Sequence, residues 1–204
     1  MLPNPVAYLT HSNGKEPQTP AGKAYSYILA GNGVFKHARS RFVEVCVPLV
    51  GVQVAGLKPL AGFVRPRYAL PAEVLQLILA DARRRSWGEP KEEMYHVLLG
   101  EDRRVQIVHP EQSGGAATLR YSGGDDERIV VDVHSHHQMG AFFSSTDDQD
   151  EQGFRFYAVI GRIFTSPQIA LRVGVYGDFY PLPVERLFSG HSPLVSVLGV
   201  GNGD

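Results

Sequence analysis

Apolar and polar positions alternate with a period of two through the first third of the chain, the signature of half-buried strands. Tyr25 to Phe35 is an apolar run broken by Gly31-Asn32-Gly33, a turn signal that joins two strands. Arg41 to Val54 alternates again, and Pro48 and Gly51 within it argue for an edge strand or a bend. The opening twenty residues, rich in Pro, Asn, Gly and Thr, read as loop or arm. Residues 1–68 therefore predict a small β-rich unit, with a junction at Arg65-Pro66-Arg67.

The period then changes to that of a helix. From Pro71 to about Arg85, Val74, Leu75, Ile78, Leu79 and Ala82 fall on one face. Pro71 suits the first helical position, Glu73 the first turn and Arg83-Arg84-Arg85 the last, with Gly88 as terminator. Short β-type runs follow at Met94–Leu99, Arg104–Val108, Thr118–Tyr121 and Ile129–Val133, then at Phe156–Phe164 and Ile169–Tyr176. This pattern predicts a second domain over residues 69–188. Residues 189–204 lack periodicity and read as a mobile tail. There is no internal repeat.

Bulk composition narrows the function classes. The 204 residues carry a formal net charge of −1, so no basic footprint for nucleic acid exists. Hydrophobic residues make up 43%, yet no run approaches the roughly 20 apolar residues that a membrane helix needs. Val45–Leu57 is uncharged but interrupted by Pro48, Gly51 and Gly56. The single cysteine, Cys46, excludes an intrachain disulfide and any metal site built from several thiolates, and its alternating surroundings predict a buried structural thiol. No basic segment followed by an apolar core opens the chain, which makes a soluble cytoplasmic protein the expectation.

The chemistry concentrates between residues 134 and 147. Ile129–Val133 runs into His134-Ser135-His136, and Ser144 and Asp147 follow. Side chains two apart on an extended segment share a side, so His134 and His136 can face one ion while Ser135 points away. Asp147, presented by a returning loop, would complete a His-His-Asp set and leave a fourth position for water. Ser144-Ser145-Thr146-Asp147 also has the composition of a helix N-terminus, so capping competes with ligation for Ser144 and Asp147.

This spacing resembles the JAMM signature of the JAB/MPN/Mov34 metalloproteases: H-x-H-P, six residues, S, two residues, D. The family also places a catalytic glutamate at the head of an upstream strand, and Glu93-Met94-Tyr95-His96-Val97-Leu98-Leu99-Gly100 has that form. Two positions depart: His137 replaces the proline and His96 replaces a glycine. The resemblance covers about residues 70–180. It implies an α/β fold of the α+β type, a mixed β-sheet flanked by helices. It further implies a zinc-dependent peptidase or isopeptidase, with His134, His136 and Asp147 holding Zn²⁺, Glu93 as general base and Ser144 donating to the oxyanion. Glu92 competes with Glu93; neighbours on a strand face opposite sides, and the family register selects Glu93. With its β-rich extension the whole chain resembles the A proteins of bacterial PRTRC cassettes. Those cassettes also carry ubiquitin-like proteins, which implies a ubiquitin-like protein or a peptide as partner.

Three other readings compete with this one. The same fold without a working site would be a scaffold or protein-binding module. Asp132-x-His134-x-His136 could open a barrel hydrolase, but the motif lies too late in too short a chain. A zinc nucleobase deaminase needs paired cysteines, which are lacking. His11, His37, His109 and His191 read as surface or structural; Asp148, Asp150 and Glu151 read first as favourable charge in a helix's first turn, with the orientation of a ligand histidine by one of them as the alternative.

Overall fold

A computed structural model describes residues 5–115, 118–121 and 126–198, with backbone only for 112–115 and 118–121. Backbone contacts divide the chain into two compact units, Met1–Tyr68 and Ala69–Asp204. Among the described residues no helix is long and apolar enough to cross a membrane.

The first unit is a five-stranded sheet in chain order: β1 (Val6–Thr10), β2 (Tyr25–Ala30), β3 (Gly33–Arg39), β4 (Val43–Val50) and β5 (Phe63–Pro66). The opening segment is not all loop. Val6–Thr10 pairs in parallel with Tyr25–Leu29, since five residues that can all pair outweigh the turn-rich sequence around them. Gly31 and Asn32 make the β2–β3 turn, and the Asn32 side chain holds Leu60 by donating to its carbonyl (3.0 Å) and accepting from its N–H (2.8 Å). β4 has two neighbours over Val43–Cys46 and only β3 beyond, so Pro48 sits where a missing N–H is tolerated. Ile28, Ala30, Phe35, Cys46 and Leu60 form the core on one face. On that face His37 Nδ1 lies 2.7 Å from Thr19 Oγ1, so the buried imidazole is paired.

The second unit begins with β6 (Leu70–Pro71) and α1 (Glu73–Arg85). Pro71 is not the first helical residue. Leu70–Pro71 pairs in parallel with β15 (Phe188–Ser189), the bonds coming from the N–H groups of Leu70 and Ala72 on either side of the proline, and the helix starts only after Ala72. The face of α1 that is buried consists of Val74, Leu75, Ile78, Leu79 and Ala82. The strands between are β7 (Met94–Leu99), β8 (Val105–Val108), β9 (Gln112–Gly115), β10 (Thr118–Tyr121), β11 (Ile129–His136), β12 (Phe154–Gly161), β13 (Gln168–Val175) and β14 (Asp178–Leu182). A six-residue helix α2 (Ser145–Asp150) lies between β11 and β12.

The main sheet runs β14-β13-β12-β11-β7-β8, with β11 and β12 parallel and the other neighbours antiparallel, while β9 and β10 form a separate hairpin. This is a mixed-sheet α+β fold. β7 and β11 are buried along their whole length, the pattern of strands covered on both faces. Even-numbered β11 residues face α2, whose Asp147 approaches His134. The opposite face meets α1: Tyr95 Oη donates to Asp81 Oδ2 at 3.2 Å, and Arg83 Nε donates to the Ile163 carbonyl.

The tail is structured further than its sequence predicts. Phe188 and Leu194 are buried, and β16 (Val195–Ser196) adds in parallel to β13, because two apolar side chains there find core positions. Residues 199–204 lie outside the described residues.

Burial pushes the Cys46 thiol up to about 12. At about pH 8 the native protein should resist thiol-reactive dye, and one equivalent should react after denaturation. Native labelling at the denatured rate would contradict the buried position.

Candidate metal centre

The centre grows from one register. β11 pairs antiparallel with β7 so that His134 lies opposite Met94 and Asp132 opposite His96. Opposed residues share a face, and continuing the register by two places Glu92 beside His136. The side chains agree: Glu92 Oε1 lies 3.7 Å from His136 Nε2. Glu93 faces the other way. It is 2% exposed, its Oε2 is 2.5 Å from His109 Nε2 and its Oε1 2.9 Å from Lys91 Nζ. Its backbone is pinned as well, accepting from Ser135 N–H at 2.9 Å and donating to Ser135 Oγ at 3.2 Å. The expectation that Glu93 heads the site is therefore corrected: strand parity sends Glu92 to the His-His-Asp cluster and Glu93 to the back of the sheet.

The loop after β11 sets the second imidazole. Gly161, opposite His136 on β12, packs flush against Gly140, where an added Cβ would stand 2.3 Å from the Gly140 carbonyl carbon. That close approach is anchored by Arg162 N–H to Met139 O (2.7 Å) and Ile163 N–H to His137 O (3.1 Å). Gly140 O then lies 3.0 Å from His136 Nδ1, so Nδ1–H donates there and Nε2 is left facing Glu92. His137, in the position of the family's proline, turns out of the centre and meets Phe164 edge-on, with ring centroids 4.9 Å apart.

The two readings of Ser144 and Asp147 combine. Ser144 is the N-cap of α2, accepting from Asp147 N–H at 3.2 Å, and Asp147 Oδ2 accepts from Ser144 N–H (2.6 Å) and Ser144 Oγ (2.7 Å). Oδ2 is thus held by the cap, and Oδ1 points at His134 Nε2, 3.5 Å away. The Ser144 hydroxyl proton is committed to Asp147 rather than aimed at an oxyanion, because the capping box closes on itself.

Ligand atoms of His134, His136 and Asp147 lie within 4.8 Å of one another. Their chemistry fits a divalent metal. His134 Nε2 is buried and makes no hydrogen bond among the described residues, an orphaned acceptor beside a carboxylate oxygen. Burial pushes both imidazoles below their ordinary pKa, against the pull of Asp147, which keeps them in the neutral form that binds metal. Burial, with the Asp147 charge second, raises Glu92 to about 7, a value suited to proton transfer near neutrality. Beside Glu92 a cavity of about 170 Å³ is lined by Pro90, Lys91, His137, Gln138 and Met139.

Two contributors escaped the sequence reading. The Gly140–Gly161 contact has no local signal. Arg172 had one: it is the lone charge in the apolar run Gln168–Val175. Its guanidinium donates to Glu151 Oε2, and Glu151 Oε1 is 3.9 Å from His134 Nδ1.

The centre thus joins two histidines on a central strand of a mixed sheet to a capped aspartate on the next helix. Residues 71–173, half of the chain, match the family described as prokaryotic homologs of the JAB domain, and the chain belongs to that family. No curated protein matches the sequence. The chain is similar to a solution structure of a protein from Salinibacter ruber, at 13% identity over 60% of this chain and 92% of that one, with a TM-score of 0.40.

The shared capping box yields a test of Ser144. Ser144→Ala should cost about 1 kcal/mol of stability and weaken divalent-metal affinity, because Asp147 loses its anchor. Metal titration followed by calorimetry reads the second effect. Unchanged affinity would show that Asp147 does not depend on the cap.

Proposed function

We propose that this protein is a cytoplasmic zinc-dependent peptidase or isopeptidase in which Glu92, not Glu93, handles the proton. The observation that carries this reading is the Glu92 carboxylate 3.7 Å from His136 Nε2, on the same face as the three-donor cluster. His134, His136 and Asp147 would hold the metal through His134 Nε2, His136 Nε2 and Asp147 Oδ1. Zinc bound there supplies Lewis acidity, acidifying a water molecule and polarising the scissile carbonyl.

The chain's own residues do the rest. Gly140 O holds His136 with its proton on Nδ1, and Ser144 holds Asp147 by one oxygen, so both side chains need little reorganisation. Glu92 accepts the water's proton at Oε1 and returns it to the leaving amine. The substrate reading, a ubiquitin-like protein or a peptide, rests on the resemblance of the whole chain to PRTRC A proteins.

Zinc-loaded protein should cleave ubiquitin-like fusions or linear peptides, and chelation should stop it. Glu92→Gln should lower kcat about 10²- to 10⁴-fold, whereas Glu93→Gln should leave turnover near the wild-type value and lower the melting temperature. Loss of cleavage in Glu93→Gln with retention in Glu92→Gln would reverse the assignment. Zinc binding without cleavage of any substrate would favour a protein-binding scaffold.

A further inference from the structure

Arg172 and Glu151 form a buried ion pair that the proposed reaction leaves unused. Arg172 is 5% exposed and Glu151 7%. Arg172 lies on β13, on the same sheet face as His134, with Tyr157 of β12 opposite it. Its guanidinium stands between two rings, 3.8 Å from the Phe143 centroid and 3.7 Å from that of Phe179. Nε and one terminal nitrogen donate to Glu151 Oε2 at 3.0 and 2.6 Å, and the other terminal nitrogen donates to Asp148 Oδ1 at 2.5 Å.

This arrangement leaves one atom aimed at the metal centre. With Oε2 taken by the fork, Glu151 Oε1 faces His134 Nδ1 at 3.9 Å, while Asp147 Oδ1 faces Nε2 of the same ring at 3.5 Å. The gap exceeds a usual N–H···O bond by about 1 Å, a distance that rotation of the carboxylate about its soft terminal torsion can shorten. His136 has the equivalent support from a neutral carbonyl, Gly140 O. His134 has a carboxylate held by an arginine. Burying such a pair gains little stability over apolar residues of the same volume, so its placement behind a ligand calls for another role.

We infer that Arg172 and Glu151 are a positioning pair: Arg172 holds the Glu151 carboxylate behind His134, which fixes the imidazole proton on Nδ1, turns Nε2 to the metal and sets the affinity of the centre. The inference rests on the metal-centre reading above. A ligand histidine backed by a carboxylate is more basic and loses less freedom on binding.

The test uses the full-length protein, zinc affinity from competition with a chelating dye, and the visible spectrum of the cobalt-loaded form. Glu151→Ala and Arg172→Met should weaken zinc about 10- to 100-fold and shift the cobalt bands. Glu151→Gln, which keeps a neutral acceptor, should recover part of both. Asp148→Asn, which takes only the charge from the outer partner of Arg172, should match the wild type. Circular dichroism of the metal-free proteins identifies the folded variants, and Glu151→Gln carries the test if the harsher changes unfold the chain. A folded Glu151 or Arg172 variant with wild-type affinity and cobalt spectrum overturns the inference. A wild-type protein that binds no zinc overturns the metal-centre reading instead.

Discussion

The antiparallel register of β7 against β11 is the constraint on which the rest of this centre depends. With Met94 opposite His134, the even-numbered residues from Glu92 to His96 and from Asp132 to His136 are delivered to one face, up to the irregularity between Ile129 and Val131. That face receives Glu92, His134 and His136, and also His96 and Asp132, which pair with each other at 2.5 Å. A slip of one residue would send Glu92 behind the sheet and Glu93 to the cluster. Several features resist that slip. Ser135 bonds both backbone groups of Glu93, Glu93 is engaged by His109 and Lys91, and Tyr95 is tied to Asp81 of α1. The carboxylate facing away from the cluster thus helps to lock the one facing it.

Around that register the donors are set by ordinary folding devices. A helix cap takes one oxygen of Asp147, a glycine-enabled carbonyl takes one nitrogen of His136, and a clamped carboxylate stands behind one nitrogen of His134. In each case the remaining atom points inward. Local structure therefore supplies preorganisation, and burial keeps the imidazoles neutral. The same burial leaves His134 Nε2 without a hydrogen bond among the described residues, a cost that a bound cation would offset.

Much of this was legible in the sequence where the determinant was local. The apolar face of α1, the Gly31-Asn32 turn, the strand at Met94–Leu99 and the His134, His136, Ser144, Asp147 spacing all depend on residues within a few positions of one another. What required pairing partners was not legible. Val6–Thr10 became a strand only through β2, Pro71 was held out of α1 by β15, and Asp178–Leu182 pairs with β13. The choice between Glu92 and Glu93 belongs to the same class, since strand parity needs a register that no single segment encodes. Arg172 stood out as a lone charge, but its partner Glu151 and its target His134 come from separate elements.

X-ray absorption at the zinc edge of the loaded full-length protein tests the central claim most directly. One zinc per chain, bound by two imidazole nitrogens with oxygen completing the set and no sulfur, is the predicted result, reduced to one imidazole by His134→Ala. Zinc without imidazole scattering, or a spectrum that His134→Ala leaves unchanged, would contradict it.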